Sequence, residues 1–218
     1  MRTFAVIGLS TFGFYISKYL AERGFKVMAV DINEARIDKV KEFVAKAIIA
    51  DATDKNALES IGISDFDVVI VSLGDRIDAS ILVTLYLKEL GVKEIIAKAT
   101  TEDHGKILDR IGATQVIFPE RDVALRLAKS LEDLNLLDVI PLAPGVSLVE
   151  FGAPRPFLGK TLKELNLRNR FGIQIVVIKE LVPENLVILP RPDHRIRESD
   201  ILVGIGKDDD FDRLLKEK

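Results

Sequence analysis

The sequence contains no cysteine. Disulfide bonds, thiolate metal sites and cysteine nucleophiles are therefore excluded. It has only two histidines, His104 and His194. Two isolated histidines without cysteine do not predict a catalytic metal site. We interpret His104, at the polar start of a helix, as a surface histidine, and His194 as part of a solvated loop.

The sequence also lacks an excess of positive charge. It has 31 lysines and arginines against 34 aspartates and glutamates, which gives a formal net charge of −3. Affinity for a phosphate backbone comes mainly from lysine and arginine. The balance therefore predicts that the chain does not bind nucleic acid.

Long apolar runs are absent as well. No stretch of the sequence approaches the roughly 18 consecutive apolar residues of a membrane-spanning helix, and Met1 leads directly into an apolar strand without a cleavable leader. Hydrophobic residues make up 48% and charged residues 30%, which is typical of a folded globular protein. We expect a cytoplasmic protein.

Short apolar runs alternate with amphipathic segments in the first part of the chain. Continuous runs rich in Val and Ile are typical of strands that are buried on both faces, and the segments between them are typical of covering helices. The pattern predicts an α/β fold, a Rossmann-like doubly wound parallel sheet of about six strands. The predicted strands are Phe4–Ile7, Lys26–Val30, Ala47–Ile49, Val68–Val71, Ile95–Ala97 and Val116–Phe118.

The pattern changes after residue 137. A helix is predicted over Pro119–Leu137, with Val123, Leu127, Leu131 and Leu134 at a spacing near four. Pro141 and Pro144 then indicate a linker that is followed by turns or edge strands. We predict a nucleotide-binding domain over residues 1–137 and a second, smaller α+β domain over residues 138–218. In the latter, Thr161 and Glu164 have the spacing of a capping box.

A glycine-containing loop, Gly8-Leu9-Ser10-Thr11-Phe12-Gly13, directly follows the first strand. In dinucleotide-binding folds the first glycine allows a tight turn and the last allows close packing of helix and strand. The N–H groups at the helix start favour an anion. Ser10 replaces the middle glycine, and its Cβ crowds a bridging pyrophosphate. A mononucleotide, AMP or ADP, therefore fits this loop better than NAD.

The second strand ends at Asp31, which is followed by Ile32. A carboxylate at this point accepts ribose hydroxyl groups and repels a 2′-phosphate, so the pattern predicts nucleotide binding and disfavours NADP. The alternative is that Asp31 only caps the helix that begins at Asn33.

Other candidates follow the third, fourth and fifth strands. Ligands of open α/β sheets bind at the carboxyl ends of the strands, which favours contacts to the adenine and the phosphates here. The alternatives are helix capping by Thr53, Asp54 or Asp75, and a solvated Lys98. The candidates are Asp51, Ala52 and Thr53, then Ser72, Leu73 and Gly74, and finally Lys98.

The sequence offers no nucleophile paired with a base. A nucleotide-binding fold without catalytic groups predicts a sensor rather than an enzyme, because ligand binding would then shift a conformational equilibrium. Two alternatives remain open: a small NAD-linked oxidoreductase, and a nucleotide sensor that acts on another transporter or on a transcriptional regulator.

The whole chain resembles the TrkA/KtrA-type regulators of potassium conductance, which join an N-terminal RCK domain to a small C-terminal RCK domain. The resemblance extends in one order over about 200 residues. It is carried by Phe4-Ala5-Val6-Ile7-Gly8-Leu9, Val30-Asp31-Ile32-Asn33, Asp51-Ala52-Thr53, Lys88-Glu89-Leu90-Gly91, Ile111-Gly112-Ala113, Pro119-Glu120, Arg168, Phe171-Gly172-Ile173 and Ser199-Asp200-Ile201-Leu202-Val203-Gly204-Ile205-Gly206.

This resemblance implies dimers that exchange the helix Pro119–Leu137 and that assemble into a ring under a potassium-translocating membrane subunit. An adenine nucleotide (AMP, ADP, ATP or NAD) at the Gly8 loop and Asp31 would gate that partner from the cytoplasmic side. Glu120 matches a family position that holds a divalent cation between subunits; alternatively, it only complements the helix dipole.

The resemblance also has departures. Ser10-Thr11 stands where members that respond to ATP commonly have Gly-Arg, so a basic contact to the terminal phosphate is missing. Arg168 and Pro190 match positions around a cyclic dinucleotide between paired small domains, whereas Gln174 replaces a common asparagine. The alternative for Arg168 and Pro190 is a surface arginine and a turn proline.

Overall fold

The computed structural model describes residues 2–131 and 136–216. The chain forms two compact units, Met1–Pro119, here called the N-terminal unit, and Glu120–Lys218, the C-terminal unit. The predicted boundary between residues 137 and 138 stays a prediction.

The N-terminal unit contains one parallel sheet of six strands in the order β3-β2-β1-β4-β5-β6. The chain leaves β1 toward one edge and later returns beside β1 with β4, which is the doubly wound topology that the sequence predicts. The elements are β1 (Thr3–Ile7), α1 (Thr11–Glu22), β2 (Lys26–Asp31), α2 (Glu34–Val40), β3 (Lys46–Ile49), α3 (Lys55–Ser60), a 3-10 turn (Ile63–Asp65), β4 (Val68–Val71), α4 (Ile77–Glu89), β5 (Glu94–Lys98), α5 (Glu102–Ile111) and β6 (Gln115–Ile117).

The central strands are apolar because both faces of the sheet are covered. All four residues of β4 are buried, and so are the last five residues of β2. Alternate residues of one strand contribute to two different cores: Val69 and Val71 lie in one, Val68 and Ile70 in the other. These continuous apolar runs are what a parallel sheet between two layers of helices requires.

The C-terminal unit is built on an antiparallel sheet of five strands in the order β10-β9-β11-β8-β7. The helix α6 (Pro119–Leu131) leads into it. The further elements are β7 (Leu136–Ala143), β8 (Val146–Gly152), a 3-10 turn (Arg155–Phe157), α7 (Leu162–Leu165), α8 (Leu167–Phe171), β9 (Gln174–Leu181), β10 (Glu184–Ile188), β11 (Asp200–Lys207) and α9 (Asp208–Leu215).

The core of this unit lies between the sheet and its short helices. Residues of β8 alternate between buried and partly buried, as expected for an antiparallel strand with one covered face. Phe151 of β8 packs edge-on against Phe211 of α9, with ring centroids 6.0 Å apart. The capping box at the start of α7 is present: Thr161 accepts a hydrogen bond from the Glu164 N–H, and the Glu164 carboxylate accepts one from the Thr161 N–H.

The predicted helix over Pro119–Leu137 is wrong at its end. Helix α6 ends at Leu131, the predicted helix residue Leu134 lies outside the described residues, and Leu136 and Leu137 belong to β7. Pro141, which we interpreted as part of a linker, lies in β7 beside an irregularity in the strand pairing. Proline is tolerated there because β7 is an edge strand with one unpaired side.

Across residues 2–131 and 136–216, none of the helices combines the length and the apolar character that a transmembrane span requires.

Candidate nucleotide-binding site

The glycine loop between β1 and α1 has no room for side chains at its first and last positions. Gly8 has φ +88°, and a Cβ there would lie 2.4 Å from the carbonyl oxygen of Ser72. A Cβ on Gly13 would lie 2.0 Å from the carbonyl oxygen of Gly8. Real Cβ atoms do not approach that closely, so both glycines are required for α1 to start directly against β1 and β4.

The middle position of the loop, Ser10, is tied to the neighbouring strand. Its hydroxyl oxygen lies 2.7 Å from that of Ser72, the residue that follows β4. Ser10 precedes α1 without a side-chain capping bond. Thr11 begins the helix, and Phe12 packs partly buried against one of the two cores. The serine therefore joins the glycine loop to the loop after β4.

Asp31 is a buried anchor between β2 and the glycine loop. Its carboxylate accepts hydrogen bonds from the N–H of Leu9 at 2.6 Å and from the N–H of Asn33 at 2.8 Å. The guanidinium of Arg36 lies 3.4 Å from the same carboxylate. Asn33, not Asp31, caps α2, because its side chain accepts a hydrogen bond from the N–H of Arg36. The alternative role of Asp31 as the helix cap is therefore wrong.

Asp51 and Thr53 form a small turn after β3. The N–H and the hydroxyl of Thr53 both donate to one carboxylate oxygen of Asp51, at 2.9 and 2.6 Å. These bonds hold the pKa of Asp51 below its usual value, and the charge of Arg76 lowers the pKa further. Asp54 caps α3 by accepting from the N–H of Asn56. Asp51 is thus an ionised carboxylate at neutral pH.

A cavity at the carboxyl ends of β1 to β4 brings together six of the fourteen predicted ligand contacts, namely Asp31, Ile32, Asp51, Ala52, Thr53 and Leu73. Its wall combines aliphatic side chains with two carboxylates and two guanidinium groups, the mixture that suits an apolar base attached to a polar sugar phosphate. Its lining residues are Ile7, Val30, Asp31, Ile32, Arg36, Ala50, Asp51, Ala52, Thr53, Leu73 and Arg76.

Five of these residues were not predicted as site residues. Ile7 and Val30 were predicted only as strand residues, and Ala50, Arg36 and Arg76 were not singled out at all. Ala50 is the residue directly after β3, so its position at a strand end was an available signal. Arg36 lies in the first turn of α2 and reaches back to Asp31. Arg76 precedes α4, and no periodic pattern in the sequence marks it.

Several predicted residues lie beside the cavity rather than in its wall. Ser72 contacts the glycine loop, and a Cβ on Gly74 would lie 3.9 Å from the Cβ of Ser10. Asp75 does not cap α4, which begins without a side-chain cap. Lys98 ends β5, two strands away from β1, and it is not solvated, because only 8% of it is exposed.

Both histidines differ from their predicted surroundings. His104 is 2% exposed rather than at the surface, burial lowers its pKa, and its Nδ1 lies 3.3 Å from the backbone nitrogen of Thr100, which donates to it. The side chain of His194 is only 16% exposed, and its Nε2 lies 3.9 Å from a carboxylate oxygen of Glu180. Neither histidine lines the cavity.

The predicted cation ligand Glu120 lies in the first turn of α6 together with Asp122. Among the described residues, no three His, Asp or Glu side chains are close enough to hold a metal ion. A cation at Glu120 therefore requires ligands besides Glu120 and Asp122, and the site stays a prediction.

The C-terminal unit has a cavity of its own. It includes the three residues that the sequence singled out there, Arg168, Gln174 and Pro190, together with apolar side chains such as Ile173 and Ile175. Arg168 and Pro190 thus share a cavity, and Arg168 is exposed, as its alternative interpretation as a surface arginine predicts.

Fold and site together define a class of protein: a Rossmann-like unit with a cavity at its strand ends, followed by a small antiparallel unit. Two family models match the chain in that order, the TrkA-N domain over residues 4–119 and the TrkA-C domain over residues 146–218. The chain belongs to this TrkA family, and the resemblance to TrkA/KtrA-type regulators is confirmed.

Relatives within the family match over nearly their whole length. The chain is 42% identical to the Ktr system potassium uptake protein C of Bacillus subtilis over 215 residues, which cover 99% of this chain and 96% of that protein. It is also 42% identical to protein A of the same system, with the same coverage. The identity to the Ktr system potassium uptake protein A of Vibrio alginolyticus is 36%, over 99% and 97% of the two chains.

Solved structures share the fold at lower identity. The crystal structure of the GsuK RCK domain aligns with a TM-score of 0.53 at 22% identity and covers 100% of this chain, which spans 47% of that one. The NAD(P)-binding domain of an exopolyphosphatase-related protein from Archaeoglobus fulgidus aligns with a TM-score of 0.53 at 20% identity, over 61% of this chain and 98% of the other. The predicted fold class is confirmed.

Proposed function

We propose that this chain is a regulatory subunit of a potassium-translocating membrane protein, and that an adenine nucleotide in the cavity of the N-terminal unit sets its state. The observation that carries the proposal is the 42% identity, across both units, to proteins named as potassium uptake proteins of a Ktr system. A regulator of this kind acts at the inner face of the cell membrane through its partner and performs no enzymatic turnover.

The chemistry of the cavity supports an adenosine ligand. Asp31 already accepts two backbone N–H groups, but each carboxylate oxygen has two lone pairs, so ribose hydroxyl groups can still donate to it. The ionised Asp51 can accept from the amino group of adenine, and Ile7, Val30 and Leu73 offer apolar contact to the ring. The backbone N–H groups at the start of α1 favour the phosphates.

The link between Asp31 and Leu9 gives ligand binding a mechanical consequence. A ribose that shares the Asp31 carboxylate changes the hydrogen bond that holds the glycine loop. A tenfold difference in affinity between two states of the subunit shifts their equilibrium by about 1.4 kcal/mol. In a ring of dimers these shifts add, and their sum is available to gate the membrane partner.

Two further ligands belong to the proposal. Glu120 holds a divalent cation between subunits, and the cavity at Arg168 receives a cyclic dinucleotide when two C-terminal units pair. For the cation, Glu120→Gln should lower affinity only in the assembled protein. Equal cation affinity in the wild type and the variant would leave Glu120 with a role at the helix start alone.

The proposal is tested by potassium flux into vesicles that contain a Ktr-type membrane subunit. Adding this chain should make the flux depend on ADP or ATP, and adding the Asp31→Ala variant should not. The matched control is Asp38→Ala, since Asp38 is an exposed acid of α2 outside the cavity. A flux that is indifferent to the chain would contradict the regulatory role.

An NAD-linked oxidoreductase needs a proton-transferring group beside its cofactor. Neither histidine lines the cavity, and its carboxylates are held by Leu9, Asn33 and Thr53. Turnover of NADH with carbonyl substrates would overturn the proposal of a regulator without catalysis.

A further inference from the structure

Arg76 stands at the border between the cavity and the glycine loop. It precedes α4 and lines the cavity wall that also contains Asp51. The loop on which it lies is tied to the glycine loop: Ser72 shares a hydrogen bond of 2.7 Å with Ser10, and a Cβ on Gly74 would lie 3.9 Å from the Cβ of Ser10. The two loops contact each other at Ser72 and Gly74, and Arg76 lies two residues after Gly74.

The two arginines of the cavity wall differ in whether they are paired with a carboxylate. Arg36 is within 3.4 Å of Asp31, and Asp51 accepts two hydrogen bonds from Thr53. Over the described ranges, the guanidinium of Arg76 makes neither a hydrogen bond nor an ion pair within 4.0 Å. It acts on Asp51 only through a weaker, longer-range electrostatic attraction. An anionic group of the ligand can therefore bind the guanidinium of Arg76 without breaking an existing ion pair, which is not true of Arg36.

The serine pair adds a donor at the same place. When two hydroxyl groups share one hydrogen bond, one proton lies between the oxygens and the other remains free to donate elsewhere. Ser10 and Ser72 therefore offer one hydroxyl proton beside the N–H groups at the start of α1. Hydroxyl, backbone N–H and guanidinium are the donors that proteins use to bind phosphate.

We propose that Arg76 binds the ligand phosphate closest to the ribose, beside a glycine loop that has no basic side chain of its own. The inference rests on the proposed function, since it names a specificity residue of the same adenosine site. Because of Arg76, adenosine 5′-phosphates should bind more tightly than adenosine.

The test is calorimetric titration of the full chain with adenosine and with AMP. A hydrogen bond to a charged group is worth about 1.5–3 kcal/mol, so Arg76→Gln should weaken AMP binding by about tenfold to a hundredfold. Adenosine affinity should stay within about twofold, and Arg76→Lys should lie between the wild type and Arg76→Gln, because lysine keeps the charge but not the bidentate geometry.

Arg23→Gln is the matched control. Arg23 is an exposed arginine of the same unit that follows the 12-residue helix α1, about 18 Å from the loop at its start. Its substitution should leave both affinities unchanged. Raising the salt concentration should weaken AMP binding more in the wild type than in Arg76→Gln, since an exposed charge is screened.

The outcomes separate the two proposals. If the wild type binds neither adenosine nor AMP, the adenosine site itself is wrong. If the wild type binds both and Arg76→Gln binds AMP as tightly, only the role of Arg76 is overturned. An equal loss of adenosine and AMP affinity would also overturn it, because the phosphate would not be what Arg76 meets. If Arg76→Gln does not fold, Arg76→Lys and the salt dependence decide. The role of Arg76 is overturned if Arg76→Lys binds AMP as tightly as the wild type and salt does not weaken AMP binding.

Discussion

The two units of the chain organise their sheets in opposite ways. In the N-terminal unit all strands run parallel, both faces are covered, and the carboxyl ends of β1 to β4 meet around one cavity. In the C-terminal unit the strands are antiparallel, and its cavity lies among short helices, loops and the first residues of β9. A parallel sheet gathers residues from distant parts of the sequence at one edge, so Asp31 and Asp51 could be predicted to lie together. An antiparallel sheet gives no such rule.

Because the parallel sheet of the N-terminal unit packs directly against its glycine loop, substitutions in that loop should lower the stability of this unit the most. Gly13→Ala should cost at least about 3 kcal/mol and abolish AMP binding, because the new Cβ would lie 2.0 Å from the Gly8 carbonyl oxygen. Hydrogen exchange during urea unfolding should show the loss in the N-terminal unit alone. In the control Gly24→Ala, the glycine has φ +83° and no atom within 4 Å of the added Cβ, so the cost should be only about 1 kcal/mol. Equal effects of the two variants would contradict the close packing.

The next largest effect is expected at Asp31. Asp31→Ala leaves the buried N–H of Leu9 without its acceptor, which should cost about 1–3 kcal/mol, and it removes the ribose acceptor, which should weaken AMP binding by at least about tenfold. Calorimetry and urea unfolding measure the two effects. Unchanged affinity, or equal losses in the surface control Asp38→Ala, would show that the ligand lies elsewhere.

Acid should destabilise the N-terminal unit through His104. Its folded pKa is lowered by burial, so below an unfolded pKa of about 6.5 the unfolded chain takes up a proton that the folded chain does not. Stability should fall by up to about 1.4 kcal/mol per pH unit from there down to the folded pKa, where the loss ends. The urea midpoint of His104→Gln should depend less on pH than that of the wild type. An identical pH dependence would rule out His104 as the source.

The smallest effects distinguish the units directly. Thr161→Ala removes the capping box of α7 and should cost about 1 kcal/mol in the C-terminal unit, with AMP affinity unchanged. The matched change Thr101→Ala removes the cap of α5 and should cost a similar amount in the N-terminal unit. Hydrogen exchange in peptides of each unit reports where the loss occurs. A loss that spreads over both units in either variant would contradict the assignment of each cap to one unit.

The difference between the units also explains what the sequence could predict. The six parallel strands are predicted to within two residues because continuous apolar runs leave little freedom. Strand β7 is missed because Pro141 is typical of a linker, and only its place at the edge of the sheet makes it acceptable in a strand. An edge position is a property of the folded sheet and not of the local sequence.

The same distinction between local sequence and folded structure applies to individual site residues. Asp31 could be predicted from the order of strand, loop, helix and strand, but its bond to Leu9 depends on how the loop folds. Arg76 could not be predicted, because no sequence motif marks this arginine and only the folded structure shows that it lines the cavity. His104 has polar neighbours in sequence, yet its helix packs so closely that a Cβ on Gly105 would lie 2.4 Å from the Phe118 ring.

We expect the carboxyl edge of the parallel sheet to hold an adenine nucleotide. Hydrogen exchange of the full chain, measured with and without ADP, reports this binding. Exchange should slow in peptides that contain Leu9, Asn33 and Thr53, whose N–H groups lie around the cavity, and should stay unchanged in β8 and β11. Unchanged exchange in those three segments at saturating ADP would show that the nucleotide does not bind at this edge.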